Sequence, residues 1–180
     1  MESPKGCTAT RDLSAEVLRF GYGDTTLGLA LVALSDRGVA VISLGGDRQR
    51  LRRELADAVR GVRLIEDETG LDGAIAQVVA LVNAQRLGLD LPLDLRGSEL
   101  ELAVWEALRA IPPGETRTYG ALAKALPVTA TAQDVGAACA ANVLAVAVPC
   151  HRVVKADGSI SGYRWGVQRK RDLLAREARA

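Results

Sequence analysis

The sequence predicts an α/β protein of two parts, and three observations predict it. Residues 13–96 alternate short β-rich runs with two amphipathic helical stretches. Residues 97–180 switch to short capped helices, followed by an apolar run that ends at Pro149-Cys150-His151. The charge divides at the same point. Residues 1–96 carry 12 Lys/Arg against 14 Asp/Glu, and residues 97–180 carry 11 against 8. A chain of 180 residues can hold one large domain or two small ones.

Composition narrows the classes. With 48% hydrophobic and 25% charged residues, the chain has the make-up of a soluble globular protein. No apolar run is long enough for a membrane span, so no membrane partner is expected. Residues 1–12 lack a basic-then-apolar signal pattern and are expected to form a flexible tail. The cysteines are Cys7, Cys139 and Cys150. An odd number without a signal argues for a reducing, cytoplasmic setting and against a disulfide framework. One histidine and no Cys-x-x-Cys pair leave too few ligands for structural zinc. The net charge of +1 is small, but its positive excess lies in the half that holds Cys150.

Taken in order, residues 16–21, 27–34 and 39–44 are strands, and the last two form a hairpin through Ser35-Asp36-Arg37-Gly38. Residues 47–60 follow as a helix, with Leu51, Leu55, Ala58 and Val59 at helical spacing. Its outer arginines alternate with Asp47, Glu54 and Asp57, which favours a solvated face over a nucleic-acid site. Residues 62–65 are a short strand. Residues 71–86 are a second helix with Ile75, Val78, Val79 and Val82 inward, and 91–95 a last short strand. No chemical constellation stands out in this half.

From Ser98 the signals sharpen. Ser98 and Glu101 form a capping box for a helix whose apolar stripe is Leu100, Val104, Leu108 and Ile111. Pro112-Pro113-Gly114 ends it. Thr118 can cap a helix over 119–126, and Thr131 one over 132–141. The pair has the layout of a helix-turn-helix. The second helix is nearly bare of side chains at Gly136, Ala137, Ala138, Ala140 and Ala141. It can pack tightly in a core or enter a narrow groove. Asn142 sits at its C-cap, where φ > 0 is tolerated.

A strand stopping at Pro149 would place Cys150 at the edge of a core, with the protein's one histidine beside it. A neighbouring imidazole and nearby cations lower a thiol's pKa and make it a nucleophile. The competing reading makes Cys150 one more small buried residue. A glycine-framed loop over 161–166 and a helix over 168–178 close the chain.

These residues resemble a known family. Val104-Trp105-Glu106-Ala107-Leu108, Ile111-Pro112, Gly114-Glu115-Thr116, Cys139-Ala140-Ala141-Asn142 and Pro149-Cys150-His151-Arg152-Val153-Val154 carry the likeness. So do residues 161–167 and 173–177. Residues 97–180 are similar to the catalytic domain of O6-alkylguanine-DNA alkyltransferases, in the form found in the C-terminal half of bacterial adaptive-response proteins. Residues 13–96 resemble, more loosely, the family's ribonuclease-H-like α/β domain. The adaptive-response protein's zinc and regulatory modules have no counterpart in the sequence.

The resemblance implies a mostly helical, winged-helix-like C-terminal domain and a single-turnover reaction without a cofactor. Cys150 takes the methyl or other alkyl group from O6 of guanine, with O4-methylthymine as a further substrate. His151 acts as base through a water, Glu177 orients His151, and Tyr119 protonates the leaving base. Asn142 matches the hinge. The expected partner is double-stranded DNA containing alkylated guanine, bound by a monomer through the minor groove. Gln133, Asp134, Gly136, Ala137 and Ala140 lie on the groove helix, and Arg152, Val153, Tyr163, Arg164 and Trp165 surround the base.

Two departures stand out. Gln133 occupies the place of an intercalating arginine, and Asp134 that of a small apolar residue. Either Thr131 and Asp134 cap the helix, or DNA engagement is weakened, as in a DNA-binding or regulatory paralogue. Trp165 is expected to line the pocket and favour methyl over benzyl, unless it packs beneath its loop.

Overall fold

The computed structural model describes residues 16–179. The expected tail and Cys7 lie outside the described residues. Strands β1 (Val17–Thr25), β2 (Gly28–Ser35) and β3 (Gly38–Gly45) form an antiparallel meander, and β4 (Arg63–Glu66) joins β1 in parallel, giving the order β3-β2-β1-β4. The β2–β3 turn needs Gly38: its φ is +141°, and a Cβ there would lie 2.2 Å from the carbonyl oxygen of Pro92.

The sheet buries both faces. Leu18, Phe20, Leu31 and Val41 meet Leu51 and Leu55 of α1 (Arg48–Ala58) on one side. Ala30, Val32, Ile42 and Leu44 meet Ile75, Val78 and Val82 of α2 (Asp72–Asn83) on the other. That second core continues without a break into Val104, Leu108, Val135, Ala138, Val148 and Leu173. The helical half is therefore seated on the sheet through shared apolar burial, the main favourable term in folding.

Residues 91–95 depart from the expected strand. They run beside β3 as one isolated parallel bridge, Val39 with Leu93. Val39 donates to Pro92 O at 2.9 Å and Asp94 donates to Val39 O at 2.8 Å. Pro92 has no amide hydrogen to extend the ladder. Asp94 anchors the segment instead, accepting from Ser35 Oγ at 2.8 Å and from Arg37.

The helices of the second half begin where their caps predict. In α3 (Glu99–Arg109) and α5 (Ala132–Ala141), Ser98 with Glu101 and Thr131 with Asp134 close both arms of a capping box. Thr118 caps α4 (Tyr119–Ala125). Residues 126–131 join α4 to α5. Trp105 Nε1 donates to Ala138 O at 2.9 Å and fixes the slim α5 against α3.

The run before Cys150 is not the expected strand. Leu144 makes a single parallel bridge to Ile42 of β3, and then the chain coils. Ala147 donates to Ala145 O, Val148 to Leu144 O, and Cys150 to Val148 O. These local bonds satisfy the amides, so no ladder is needed. The coil puts Val146 at φ +67°, a strained value for a β-branched residue. Cys150–Arg152 is then one 3₁₀ turn leading into β6 (Val153–Val154), which pairs in parallel with β5 (Arg117–Thr118). Helix α6 (Val167–Arg179) closes the fold. Among the described residues no helix is long and apolar enough to cross a membrane.

Candidate active site

A cavity of about 380 Å³ opens between helices α4 and α5 and the loop after β6. Gly136, Cys139 and Ala140 of α5 and Tyr119 of α4 form one wall; Gly162, Tyr163 and Arg164 form the other. Cys150 lines it from below and is only 4% exposed. The absence of large side chains on α5 is what leaves this space.

Asn142 holds the cysteine turn. Its Nδ2 donates to Val148 O at 2.9 Å and to Cys150 Sγ at 3.3 Å, while its Oδ1 accepts from Leu144 N at 2.8 Å. Its backbone is extended, φ −63° and ψ 126°, not left-handed as a C-cap would allow. The side-chain bonds to the turn account for this: they need the chain to leave α5 in an extended direction. Burial pushes the Cys150 thiol up, and Asn142 and the Lys170 ammonium pull it partly back.

His151 is fully buried, and burial pushes its pKa down although Glu177 opposes this. Its Nε2 lies 2.8 Å from Glu177 Oε1. Burial alone would raise the Glu177 carboxyl, but hydrogen bonds from His151 and Arg152 hold it at about 2. An ionised carboxylate only accepts, so Nε2 carries the hydrogen of the neutral ring. Nδ1 is then a free base, and it has no hydrogen-bond partner among the described residues.

Arg152 requires a correction. It does not line the cavity. Its Nε and Nη2 donate to Glu177 at 3.1 and 2.9 Å, and its Nη1 donates to Ile111 O at 2.6 Å. A carboxylate already buried for His151 draws the guanidinium inward. Trp165 requires another. It is buried behind Tyr163, ring centroids 5.1 Å apart, with Nε1 3.5 Å from Ser43 Oγ. It packs beneath the loop and does not line the cavity. Val153 is buried as well, and its carbonyl accepts from Lys170.

At the rim, Gln133 and Ala137 are exposed on α5, and Gly136 and Ala140 line the cavity. Asp134 Oδ2 accepts from Thr131 N and Oγ1, each at 2.7 Å, and these bonds keep its pKa low. Its carboxylate is thus committed to capping its own helix. Arg164 donates to Ala140 O at 3.1 Å and ties the loop to the end of α5. The Tyr119 hydroxyl is hydrogen-bonded to Ser161 Oγ, and burial raises its pKa. The Tyr163 hydroxyl has no partner among the described residues.

Sequence reasoning missed Lys170 and Ser161. Lys170 is fully buried, donating to Val153 O at 2.7 Å and Ser161 Oγ at 3.0 Å. Between Arg169 and Arg171 it passed for part of a solvated basic run. Its spacing was the available signal: positions 170, 173 and 177 share one helix face with Leu173 and Glu177, both buried. Among the described residues, no group of three His, Cys, Asp or Glu side chains is placed to hold a metal.

A cysteine beside a buried histidine–carboxylate pair, beneath a cavity walled by α4 and α5, defines a cysteine-centred site in a mixed α/β protein. Residues 99–179 match the family described as 6-O-methylguanine DNA methyltransferase, DNA binding domain. A methylated-DNA–protein-cysteine methyltransferase of Mycolicibacterium paratuberculosis is 44% identical over 114 residues, covering 63% of this chain and 69% of that protein. The chain belongs to this O6-methylguanine-DNA methyltransferase family. The Escherichia coli bifunctional transcriptional activator/DNA repair enzyme Ada is also 44% identical, over 161 residues; these are 89% of this chain but 46% of Ada, so the chain spans about half of that relative. Among solved structures, Mycobacterium tuberculosis OGT in complex with DNA superimposes with a TM-score of 0.73 at 32% identity, covering 89% of this chain and 93% of that one.

Proposed function

We propose that the protein repairs DNA by direct reversal, transferring the methyl group of O6-methylguanine irreversibly to Cys150. The observation that carries this is the Cys150 thiol at the base of the cavity, held by Asn142 at 3.3 Å, beside a His151–Glu177 pair that leaves Nδ1 unprotonated. His151 removes the thiol proton through a water, and Glu177 stabilises the imidazolium that forms. The thiolate attacks the methyl carbon. The S–C bond forms as the C–O6 bond breaks, and Tyr119 protonates the departing guanine at N3. The protein is consumed in one turnover and uses no cofactor.

The target atom is out of reach inside a duplex, so the base must be turned out. On this reading α5 enters the minor groove as its small residues permit, with Gln133 wedging where the flipped base leaves the stack. Opening the duplex costs about a few kcal/mol. Tyr163 packs on the base and Arg164 closes the mouth of the cavity. Residues 13–96 serve as a ribonuclease-H-like brace, and residues 97–180 as a winged-helix-like domain acting as a monomer. The commitment of Asp134 to its helix cap weakens the case for a paralogue that has lost repair.

Incubation with a duplex containing O6-methylguanine tests the proposal. Intact mass should rise by one methylene, located on the Cys150 peptide. No gain at excess lesion, or a gain on another residue, overturns it.

A further inference from the structure

We propose that Lys170 and Ser161 form a proton-supply relay to Tyr119, so that the proton given to the leaving base is drawn from a buried ammonium. The inference rests on the alkyl-transfer reading above and adds two residues to it. Lys170 lies inside the protein without a carboxylate partner among the described residues, an arrangement that burial disfavours unless the cation has a task. Burial lowers its pKa, and negative charge on Cys150 or Cys139 opposes this.

Hydrogen-bond capacity fixes the first link of the chain. An ammonium can only donate, so Ser161 Oγ accepts from Lys170 Nζ at 3.0 Å. The remaining partner of the serine hydroxyl is the Tyr119 oxygen. In the relay Ser161 gives its hydrogen to Tyr119, one of the two directions this contact allows, and the Tyr119 hydrogen is then free for the cavity that Tyr119 lines. Two of the three ammonium hydrogens are placed, on Val153 O and Ser161 Oγ, and the chain runs from Lys170 toward the substrate.

The step balances. Cys150 as thiolate forms the S–C bond and the C–O6 bond breaks, leaving its electron pair on the purine. The purine takes the Tyr119 proton at N3. Tyr119 takes the Ser161 proton, and Ser161 takes one from Lys170. A thiolate and an ammonium enter, and a thioether and a neutral amine remain. The buried site thus sheds both charges at once, which a low-dielectric interior favours.

The test uses the full chain and Ser161→Ala, with Ser161→Thr as the rescue because it keeps the hydroxyl. Three electrophiles separate the relay from a structural role. Duplex O6-methylguanine needs a proton at N3. Duplex O6-methyl-3-deazaguanine has a C–H there and cannot take one. Iodoacetamide alkylates Cys150 and releases iodide, with no base to protonate. Ser161→Ala should slow transfer from O6-methylguanine on the order of 100-fold. It should match the parent on the other two, and Ser161→Thr should recover the rate. If Ser161→Ala does not fold, Lys170→Met is read instead, with a greater loss on O6-methylguanine than on iodoacetamide. Parent-like transfer from O6-methylguanine, or an equal loss on all three electrophiles, overturns the relay. A parent protein that takes no methyl from O6-methylguanine overturns the underlying reading instead.

Discussion

Glu177 and Asp134 are both hydrogen-bonded carboxylates with lowered pKa values, yet they are held in opposite ways. Glu177 is 2% exposed and bound by His151 and Arg152, which lie 26 and 25 positions away in the sequence. Asp134 sits at the surface and is bound by Thr131, three positions away. The base of the cavity is thus a product of tertiary folding, and its rim a product of local helix capping. Changes at the base should cost both fold and chemistry. Changes at the rim should alter DNA engagement and leave the fold intact.

Glu177→Ala is the strongest way to break that contrast. It leaves Arg152 buried without its counter-ion and His151 without an orienting partner. Stability should fall by about 3–5 kcal/mol. The rate of alkyl transfer should fall by roughly 10²-fold or more, as expected for a misplaced general base. Thermal denaturation and single-turnover kinetics check both. A variant as stable as the parent would show that the network is not what holds the base of the cavity.

Trp165→Ala probes the wall behind the cavity. Removing a buried tryptophan should cost about 3–5 kcal/mol. Tyr163, which leans on that ring at 5.1 Å, would gain room to retreat. The variant should therefore react faster with O6-benzylguanine relative to O6-methylguanine. An unchanged ratio means that the wall is set by α5 alone.

Acid should weaken the base of the cavity in two steps. Burial holds folded His151 below the ordinary histidine pKa. As pH falls through the ordinary histidine range, the unfolded chain binds a proton that the folded chain refuses, and stability drops. Folded Glu177 stays ionised down to about 2, against a usual value of 4.5. Between those values the unfolded carboxyl takes a proton that the folded one does not, and stability drops again. Melting temperature followed from neutral pH into the carboxylate range should decline throughout, and Glu177→Gln should flatten the lower part.

The same division governs what the sequence made legible. Ser98, Thr118 and Thr131 announced three helix starts, and each caps as expected, because capping is local chemistry. Cys150 and His151 were visible because they are neighbours. The destination of Arg152 was not, since an arginine beside a reactive cysteine suggests a base contact until a carboxylate 25 positions on claims it. The apolar run before Pro149 suggested a strand, but its amides close turns on themselves. Asn142 was placed correctly after α5 and misjudged in backbone geometry, because its side-chain partners lie beyond the helix. Glu177 stood out through family spacing, not through any property of its own surroundings in sequence.

Gln133→Arg carries the smallest expected effect and tests the rim most directly. Asp134 is better left in place, since its carboxylate closes the Thr131 cap and its loss would disturb α5 itself. Gln133 is exposed, so an arginine there adds charge without displacing packing. Melting temperature should not change measurably. Affinity for undamaged duplex should rise several-fold at low salt, and the slope of log affinity against log salt should steepen by about 1. Alkylation of Cys150 by iodoacetamide, which needs no DNA, should be unaffected. A steeper salt slope with unchanged iodoacetamide reactivity would mean that the charge at position 133 sets how readily DNA arrives, while the chemistry beneath is already complete. An unchanged slope would mean that α5 does not meet the phosphates, and the orientation proposed for the duplex would have to be abandoned.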